Sequence, residues 1–130
     1  MAFSITAAQK NTMLNTLTTA AGASATVNIY SGSVPANADA SLGAAVLLVS
    51  LPCSATFAPA ASGGVLTANS ITQTNVATGG TASFYRLIAT GGSTVLAQGA
   101  VGTSGSDMNL NTTTLVAAGP CVINSLTITM

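Results

Sequence analysis

Charge is the property that this 130-residue chain most lacks, since Lys10, Arg86, Asp39 and Asp107 are its only charged side chains. They make up 3% of the sequence, whereas an ordinary globular domain is about 25% charged. Two basic side chains cannot neutralise a run of phosphates, which argues against a nucleic-acid partner. A surface with so little charge repels other copies only weakly, so we expect the protein to pack against neighbours, including copies of itself.

Histidine and glutamate are missing altogether. Without them a serine nucleophile has no ordinary general base, and Lys10 lies outside any Ser-x-x-Lys context. Gly99, Gly102 and Gly105 are not followed by the lysine of a phosphate-binding loop. We therefore predict that the protein is not an enzyme and that it has no catalytic, cofactor-binding or metal-ligating residues.

Long apolar runs are missing as well. The longest aliphatic run, residues 43–51, is far shorter than the ~20 residues of a membrane-spanning helix, so we expect no membrane association. The opening residues, MAFSITAAQK, lack the basic and apolar regions of a signal peptide, which predicts synthesis in the cytoplasm.

Cysteine is scarce, with Cys53 and Cys121 as the only two thiols. They have neither CxxC spacing nor a histidine partner, so neither zinc binding nor thiol catalysis is supported. We predict that both are reduced and largely buried in the newly made protein. The alternative is a disulfide that closes after release into an oxidising medium.

Helical periodicity occurs in one segment, residues 6–22. Thr6 followed by Gln9 matches a capping box, and Gly22 stands where a left-handed residue ends a helix. An apolar stripe recurs at helical spacing, formed by Leu14, Leu17 and Ala21 and widened by Met13 and Ala20. We predict that residues 1–24 form an N-terminal helix or arm.

Short β-prone runs separated by turn residues fill the chain from Ala25 onward. The clearest hairpin joins residues 83–90 to residues 93–100 through Gly91 and Gly92, which accept the positive φ of two-residue turns. Other strands are predicted at residues 25–30, 45–51, 56–58, 107–110, 113–117 and 121–130, and at 65–76 as one bent strand or two. Residues 25–130 are therefore predicted to form an antiparallel β-sandwich of the jelly-roll or immunoglobulin-like type.

Arg86 lies on the first strand of this hairpin, whose two faces are both largely apolar. Such a strand is typical of the centre of a sheet, where a charge needs a partner. The available carboxylates are those of Asp39, Asp107 and the C-terminus, so we predict a structural ion pair between Arg86 and an aspartate.

The segment Asp107-Met108-Asn109-Leu110-Asn111 resembles the start of a calcium loop. Counted from Asp107, however, the sixth and twelfth positions hold Thr112 and Ala118, where a calcium loop needs glycine and glutamate. We predict instead a strand whose polar residues point outward and whose Met108 and Leu110 point into the core.

Three stretches of the sequence are informative together. They are IYSGSVPANADASLG (29–43), SFYRLIATGGSTVLAQGAVGTSGSDMNLNTTTLVAAG (83–119) and CVINSLTITM (121–130). They resemble a family of small virion structural proteins of tailed bacteriophages. The similarity spans most of the chain from about Val27, and none of its motifs carries chemistry.

This resemblance implies a capsid decoration or cement protein, a β-sandwich subunit that stabilises the phage head by bridging shell subunits. Its partners are then the major capsid protein and copies of itself, and its location is the capsid surface of the virion after synthesis in the host bacterial cytoplasm. The alternative is a tail component: a tube, fibre-base or receptor-adhesion module. An adhesin needs an exposed aromatic or charged patch, and only three Phe and two Tyr residues are available.

Overall fold

The structure, a computed structural model, describes residues 3–130. Within this range it contains one helix, α1 (Ala7–Ala21), followed by eleven short strands. The strands are β1 (Thr26–Ser31), β2 (Val46–Pro52), β3 (Val65–Thr67), β4 (Thr74–Asn75), β5 (Gly80–Thr81), β6 (Phe84–Ile88), β7 (Val95–Gly102), β8 (Met108–Leu110), β9 (Thr114–Leu115), β10 (Pro120–Cys121) and β11 (Ile123–Thr129). The predicted all-β fold with one short N-terminal helix is therefore confirmed.

Helix α1 begins and ends where the sequence predicts. The Thr6 hydroxyl accepts a hydrogen bond from the Gln9 amide at 3.1 Å, and Gly22 adopts a φ of +76°. The predicted stripe is narrower than expected. Leu14 and Ala21 are buried and Leu17 is half-buried, but Met13 and Ala20 are exposed. Successive residues of a helix project about 100° apart. A helix that contacts the rest of the protein along a narrow strip therefore buries only the residues that project onto that strip.

Seven strands form one sheet in the order β2-β1-β6-β7-β8-β11-β3. All neighbouring pairs are antiparallel except β7 and β8, where Val101 pairs with Met108 in parallel register. The prediction of a wholly antiparallel arrangement is wrong at this pair. Gly105, at a φ of +70°, lies in the short bend that returns the chain beside the end of β7. Two additional sheets have two strands each, β10-β4 and β5-β9, and the sandwich type stays a prediction.

Strand β6 is central, as predicted, and all five of its residues are buried. The predicted hairpin joins it to β7 through Gly91 and Gly92, both at positive φ. The connection is longer than a two-residue turn, because the last backbone bond runs from the Ala89 amide to the Thr94 carbonyl. Tyr85 and Leu87 face the main core, which they share with Leu14 of α1.

Two predicted strands differ in the structure. Residues 56 and 57 form a bend and residue 58 has no regular structure, although Phe57 and Ala58 are buried in the core. Their burial comes from packing, which requires no strand pairing. Residues 45–51 belong to the longest aliphatic run, yet the strand there, β2, lies at the edge of the sheet with Val46 and Leu47 about half exposed, at 47% and 43%. The segment 65–76 contains two separate strands, β3 and β4.

The predicted strand at residues 121–130 is interrupted by a β-bulge. Strand β11 pairs Ile123 with Leu110 and Ser125 with Asn109, so Asn124 is an extra residue. The bulge allows Ile123 and Leu126, which a regular strand would direct to opposite faces, to pack against the same core.

Candidate functional site

The outer face of the large sheet, which points away from the core, has two halves. The covered half consists of β2, β1, β6 and β7, and the long connection 32–45 lies over part of it, bonded to Arg86 of β6 and Gln98 of β7. The open half consists of β8, β11 and β3. Both halves carry uncharged polar side chains that pair across strands. The halves differ in the other groups that these side chains contact.

A row of four polar side chains crosses the covered half, formed by Ser50, Asn28, Arg86 and Gln98 in adjacent register. The Ser50 hydroxyl donates to Asn28 Oδ1 at 2.6 Å, and Arg86 Nε donates to Gln98 Oε1 at 3.0 Å. Beside this row the rings of Tyr30 and Phe84 stack with centroids 5.0 Å apart. Arg86 and Gln98, which also bond to the connection 32–45, therefore belong to a second, partly polar core between it and the sheet, whereas Ser50 on the edge strand is exposed.

Arg86 is 4% exposed and holds this connection against the sheet. Its Nη2 donates to the Ala40 carbonyl at 2.7 Å and to the Asn37 carbonyl at 3.4 Å. In the described part of the chain no carboxylate pairs with it, so the predicted Arg86–aspartate ion pair is wrong. Backbone carbonyls replace the carboxylate because the connection folds over the guanidinium. Charge-assisted bonds of this kind are stronger than neutral ones.

The connection 32–45 is shaped by local turn chemistry, as its Asn and Asp residues predict. The Asp39 amide donates to Asn37 Oδ1 at 3.0 Å, which forms an Asx turn at the point where the carbonyls meet Arg86. Gln98 Nε2 donates to the Pro35 carbonyl at 3.0 Å, and the Ser83 hydroxyl donates to the Gly32 carbonyl at 2.8 Å. Asp39 is thus a turn residue whose side chain is exposed.

The open half contains the residues that resembled a calcium loop. Met108 and Leu110 are buried and Asn109 points outward, which confirms the predicted strand face. Asn109 Nδ2 donates to the Ser125 hydroxyl at 3.1 Å, and the Ser106 amide donates to Asn109 Oδ1 at 3.1 Å. No group of three or more metal-ligating side chains occurs within residues 3–130. The side chain of Asn109 is therefore occupied by contacts within the protein.

Asp107 lies where the two halves of the sheet meet, at the pairing of β7 with β8, with its carboxylate on the core-facing side beside Tyr85 and Gly99. Its Oδ2 accepts a hydrogen bond from the Ala100 amide at 3.3 Å. A Cβ atom added at position 99 would lie 2.6 Å from the Tyr85 ring and 2.8 Å from Asp107 Oδ2, so only glycine fits there. Burial, and secondarily the charge of Asp107, raise the pKa of Tyr85 well above its ordinary range. Tyr85 therefore stays protonated at neutral pH, where it cannot act as a base.

The two cysteines are free thiols with different environments. Cys121 is buried, as predicted, whereas Cys53 is only half-buried. Burial raises the pKa of Cys53 to about 11 and also raises the pKa of Cys121. Because the thiolate is the reactive form, neither cysteine has the environment of a nucleophile.

Several large apolar side chains are exposed within residues 3–130, which the sequence alone does not indicate. They are Phe3, Met13, Val34, Val46, Leu47, Val116 and Met130. Phe3 is the most exposed at 90%, whereas the other aromatic residues are all buried. Exposure of Val46 and Leu47 could not be anticipated from an aliphatic run, since it depends on β2 lying at the edge of the sheet.

Comparison with known proteins finds no matching protein family, no matching curated protein and no matching solved structure. Within residues 3–130 no helix has both the length and the apolar content to cross a membrane.

Proposed function

We propose that this chain is a non-enzymatic structural protein of a tailed-phage virion, a decoration or cement subunit on the outside of the head. Its partners are the major capsid protein and neighbouring copies of the same chain. The phage assignment comes from the sequence resemblance, and the character of the folded surface supports a role in assembly.

The observation that carries the proposal is the scarcity of charge on this surface. Arg86 is 4% exposed, which leaves Lys10, Asp39 and Asp107 as the charged side chains on an accessible surface of 6577 Å² in the described part of the chain. A compact monomer of this mass exposes about 6,200 Å², so the low charge belongs to an ordinary folded surface. Hydroxyl, amide and aliphatic groups are left to make its contacts, as at a protein interface.

The buried aromatic residues favour the head subunit over a receptor-adhesion module. Four of the five aromatic side chains are buried: Tyr30, Phe57, Phe84 and Tyr85. An adhesin commonly recognises its receptor through exposed aromatic anchors, and Phe3 alone remains for that purpose. Passive attachment through many weak contacts needs no such anchor.

The mechanism follows from mass action on a lattice. Each copy contributes modest apolar burial and hydrogen bonds, and attachment at several neighbouring points raises the effective concentration of each contact. A protein that binds the assembled shell and not its separated subunits stabilises the shell. Because few charges take part, this attachment depends only weakly on salt.

The test is addition of purified protein to phage heads from which it has been stripped. We expect binding at similar occupancy in low and high salt, together with a higher temperature of head disruption. Heat-unfolded chain serves as the control for non-specific adsorption. If electron microscopy of intact particles finds the protein on tails and not on heads, the head proposal is wrong and the tail alternative replaces it.

A further inference from the structure

Two short loops with the same sequence pattern lie side by side. They are residues 76–79, Val-Ala-Thr-Gly, and residues 116–119, Val-Ala-Ala-Gly. The Val76 amide donates to the Gly119 carbonyl at 2.8 Å, and the Ala118 amide donates to the Val76 carbonyl at 2.8 Å. The two loops are therefore joined through their backbones.

The first valines of the two loops have opposite environments. Val76 is 3% exposed and belongs to the core, whereas Val116 is 68% exposed. Ala117 and Ala118, which follow Val116, are exposed as well. An exposed valine gains little from apolar burial within its own chain. Residues 116–118 therefore form an apolar tip that the chain itself leaves uncovered.

The backbone of this tip is held in one conformation. In addition to the bonds with Val76, the Gly119 amide donates to the Val116 carbonyl at 2.8 Å. Strands β9 and β10, on either side of the tip, pair with β5 and β4. A surface that is ordered before it binds a partner loses little conformational entropy on binding. The tip is therefore suited to a rigid contact.

Ala118 has a strained backbone. Its φ is +67°, and within residues 3–130 every other residue with a positive φ is a glycine. Alanine is unfavourable in this conformation, which glycine adopts without cost. The methyl group of Ala118 is exposed, so packing within the chain offsets little of this strain. A contact with another molecule would give the methyl group a role that glycine could not fill.

The size of the tip indicates which partner it fits. Its three small side chains offer far less than the roughly 800 Å² that each partner of a stable complex buries. Two free copies joined by the tip alone would therefore dissociate. A shell presents the same acceptor surface on each of its subunits, and attachment at several points raises the effective concentration of each contact. A small, rigid, apolar tip thus suits attachment to a lattice.

We propose, on the basis of the function proposed above, that residues 116–118 are a contact surface for the assembled shell. The matching surface on the shell subunit is apolar. A charge placed at Val116 would be buried there without a partner when the protein attaches, which is unfavourable.

The test compares Val116→Asp with Val34→Asp in the addition of purified protein to stripped heads. Val34, in the connection 32–45, is 54% exposed and provides the matched control at a second exposed valine. We expect Val116→Asp to weaken attachment about tenfold or more, whereas Val34→Asp should change it by less than about twofold. Because both valines are exposed in the free chain, the Tm of each variant should equal that of the parent chain.

Ala118→Gly provides a second measurement that introduces no charge. Glycine relieves the strained φ, so the Tm should not fall. Loss of the methyl group should nevertheless weaken attachment about fourfold. A variant that is as stable as the parent chain and attaches less tightly identifies the tip as a contact surface.

The controls distinguish failure of this contact surface from failure of the proposed function. If the parent chain binds heads and both Val116→Asp and Ala118→Gly bind as tightly, the tip is not the contact surface. Equal weakening by Val34→Asp would also overturn the proposal. If Val116→Asp abolishes association of free chains in sedimentation, the partner is a second copy and not the shell. If the parent chain does not bind heads, the proposed function fails and this contact fails with it.

Discussion

The covered and open halves of the outer sheet face are built from similar residues and differ in what lies above them. Asn28 and Gln98 on the covered half, like Asn109 and Ser125 on the open half, are uncharged polar side chains paired across strands. On the covered half the connection 32–45 accepts hydrogen bonds from Gln98 and from the buried Arg86, while Asn28 and Gln98 themselves are half-buried. Polar rows on a sheet therefore do not identify a free surface until the long loops have been placed.

Replacement of Arg86 should produce the largest effect, because it breaks the covered half. Arg86→Ala leaves Gln98 Oε1 and the carbonyls of Asn37 and Ala40 without their donor. We expect a loss of about 3 kcal/mol in the free energy of unfolding, measured in urea. Lys10→Ala, at the other basic residue, is the control and should change it by less than about 0.5 kcal/mol. Equal effects of the two would show that the connection is held without Arg86.

Gly99→Ala tests the boundary between the halves and should have the next largest effect. The new methyl group would collide with the Tyr85 ring and with Asp107 Oδ2. Overpacking of this kind costs about 1–3 kcal/mol, measurable as a lower Tm in thermal denaturation. Ala100 is exposed on the neighbouring position, and Ala100→Ser is the control. If Gly99→Ala leaves the Tm unchanged, Tyr85 moves aside freely.

A matched pair of substitutions, one amide side chain in each half, compares the stability that the covered and open halves contribute. Gln98→Ala removes a bond to Arg86 and a bond to the Pro35 carbonyl beneath the connection, so we expect about 1–2 kcal/mol of destabilisation. Asn109→Ala removes bonds on the open half, where water can replace them, and should cost less than about 0.5 kcal/mol. Urea unfolding of both variants measures the two changes in the free energy of unfolding. If Asn109→Ala lowers the free energy of unfolding more than Gln98→Ala does, the polar contacts of the open half contribute more to stability than those of the covered half.

Removal of the charge of Asp107, which lies beside Tyr85, should have the smallest effect. Because the folded pKa of Tyr85 is raised, the folded protein holds this proton more tightly than the unfolded chain, whose tyrosine has a pKa of about 10. The associated stability is present below about pH 10 and is lost as the pH rises beyond it. Asp107→Asn should reduce this loss only in part, since burial is the larger cause. Urea unfolding between pH 9 and pH 11, with Asp39→Asn as control, measures the difference; an identical pH dependence in both variants would contradict the role of Asp107.

Local signals in the sequence were sufficient where a few neighbouring residues decide the structure. The Thr6 cap, the end of the helix at Gly22 and the hairpin at Gly91 and Gly92 all depend on φ values and bonds within a few positions. The strand at Met108 and Leu110 was predicted by alternation alone. Each of these features is visible in a window of about ten residues.

Contacts distant in the sequence decided the rest. The partners of Arg86 lie 46 and 49 residues away in the connection 32–45, and no local pattern indicates that carbonyls replace a carboxylate there. The bulge at Asn124, the parallel pairing of β7 with β8 and the exposure of Val46 likewise depend on neighbouring strands.

The amino-acid sequence alone establishes the scarcity of charge, the absence of histidine and glutamate, the all-β texture and the single capped helix. These are properties of residue type and short-range periodicity. Only the tertiary structure decided which polar rows are covered, that Val76 is buried while Val116 is exposed, and that Arg86 is removed from the small set of charges facing water. Burial and strand pairing are set by where distant segments meet, because free energy is gained there only after the whole chain has folded.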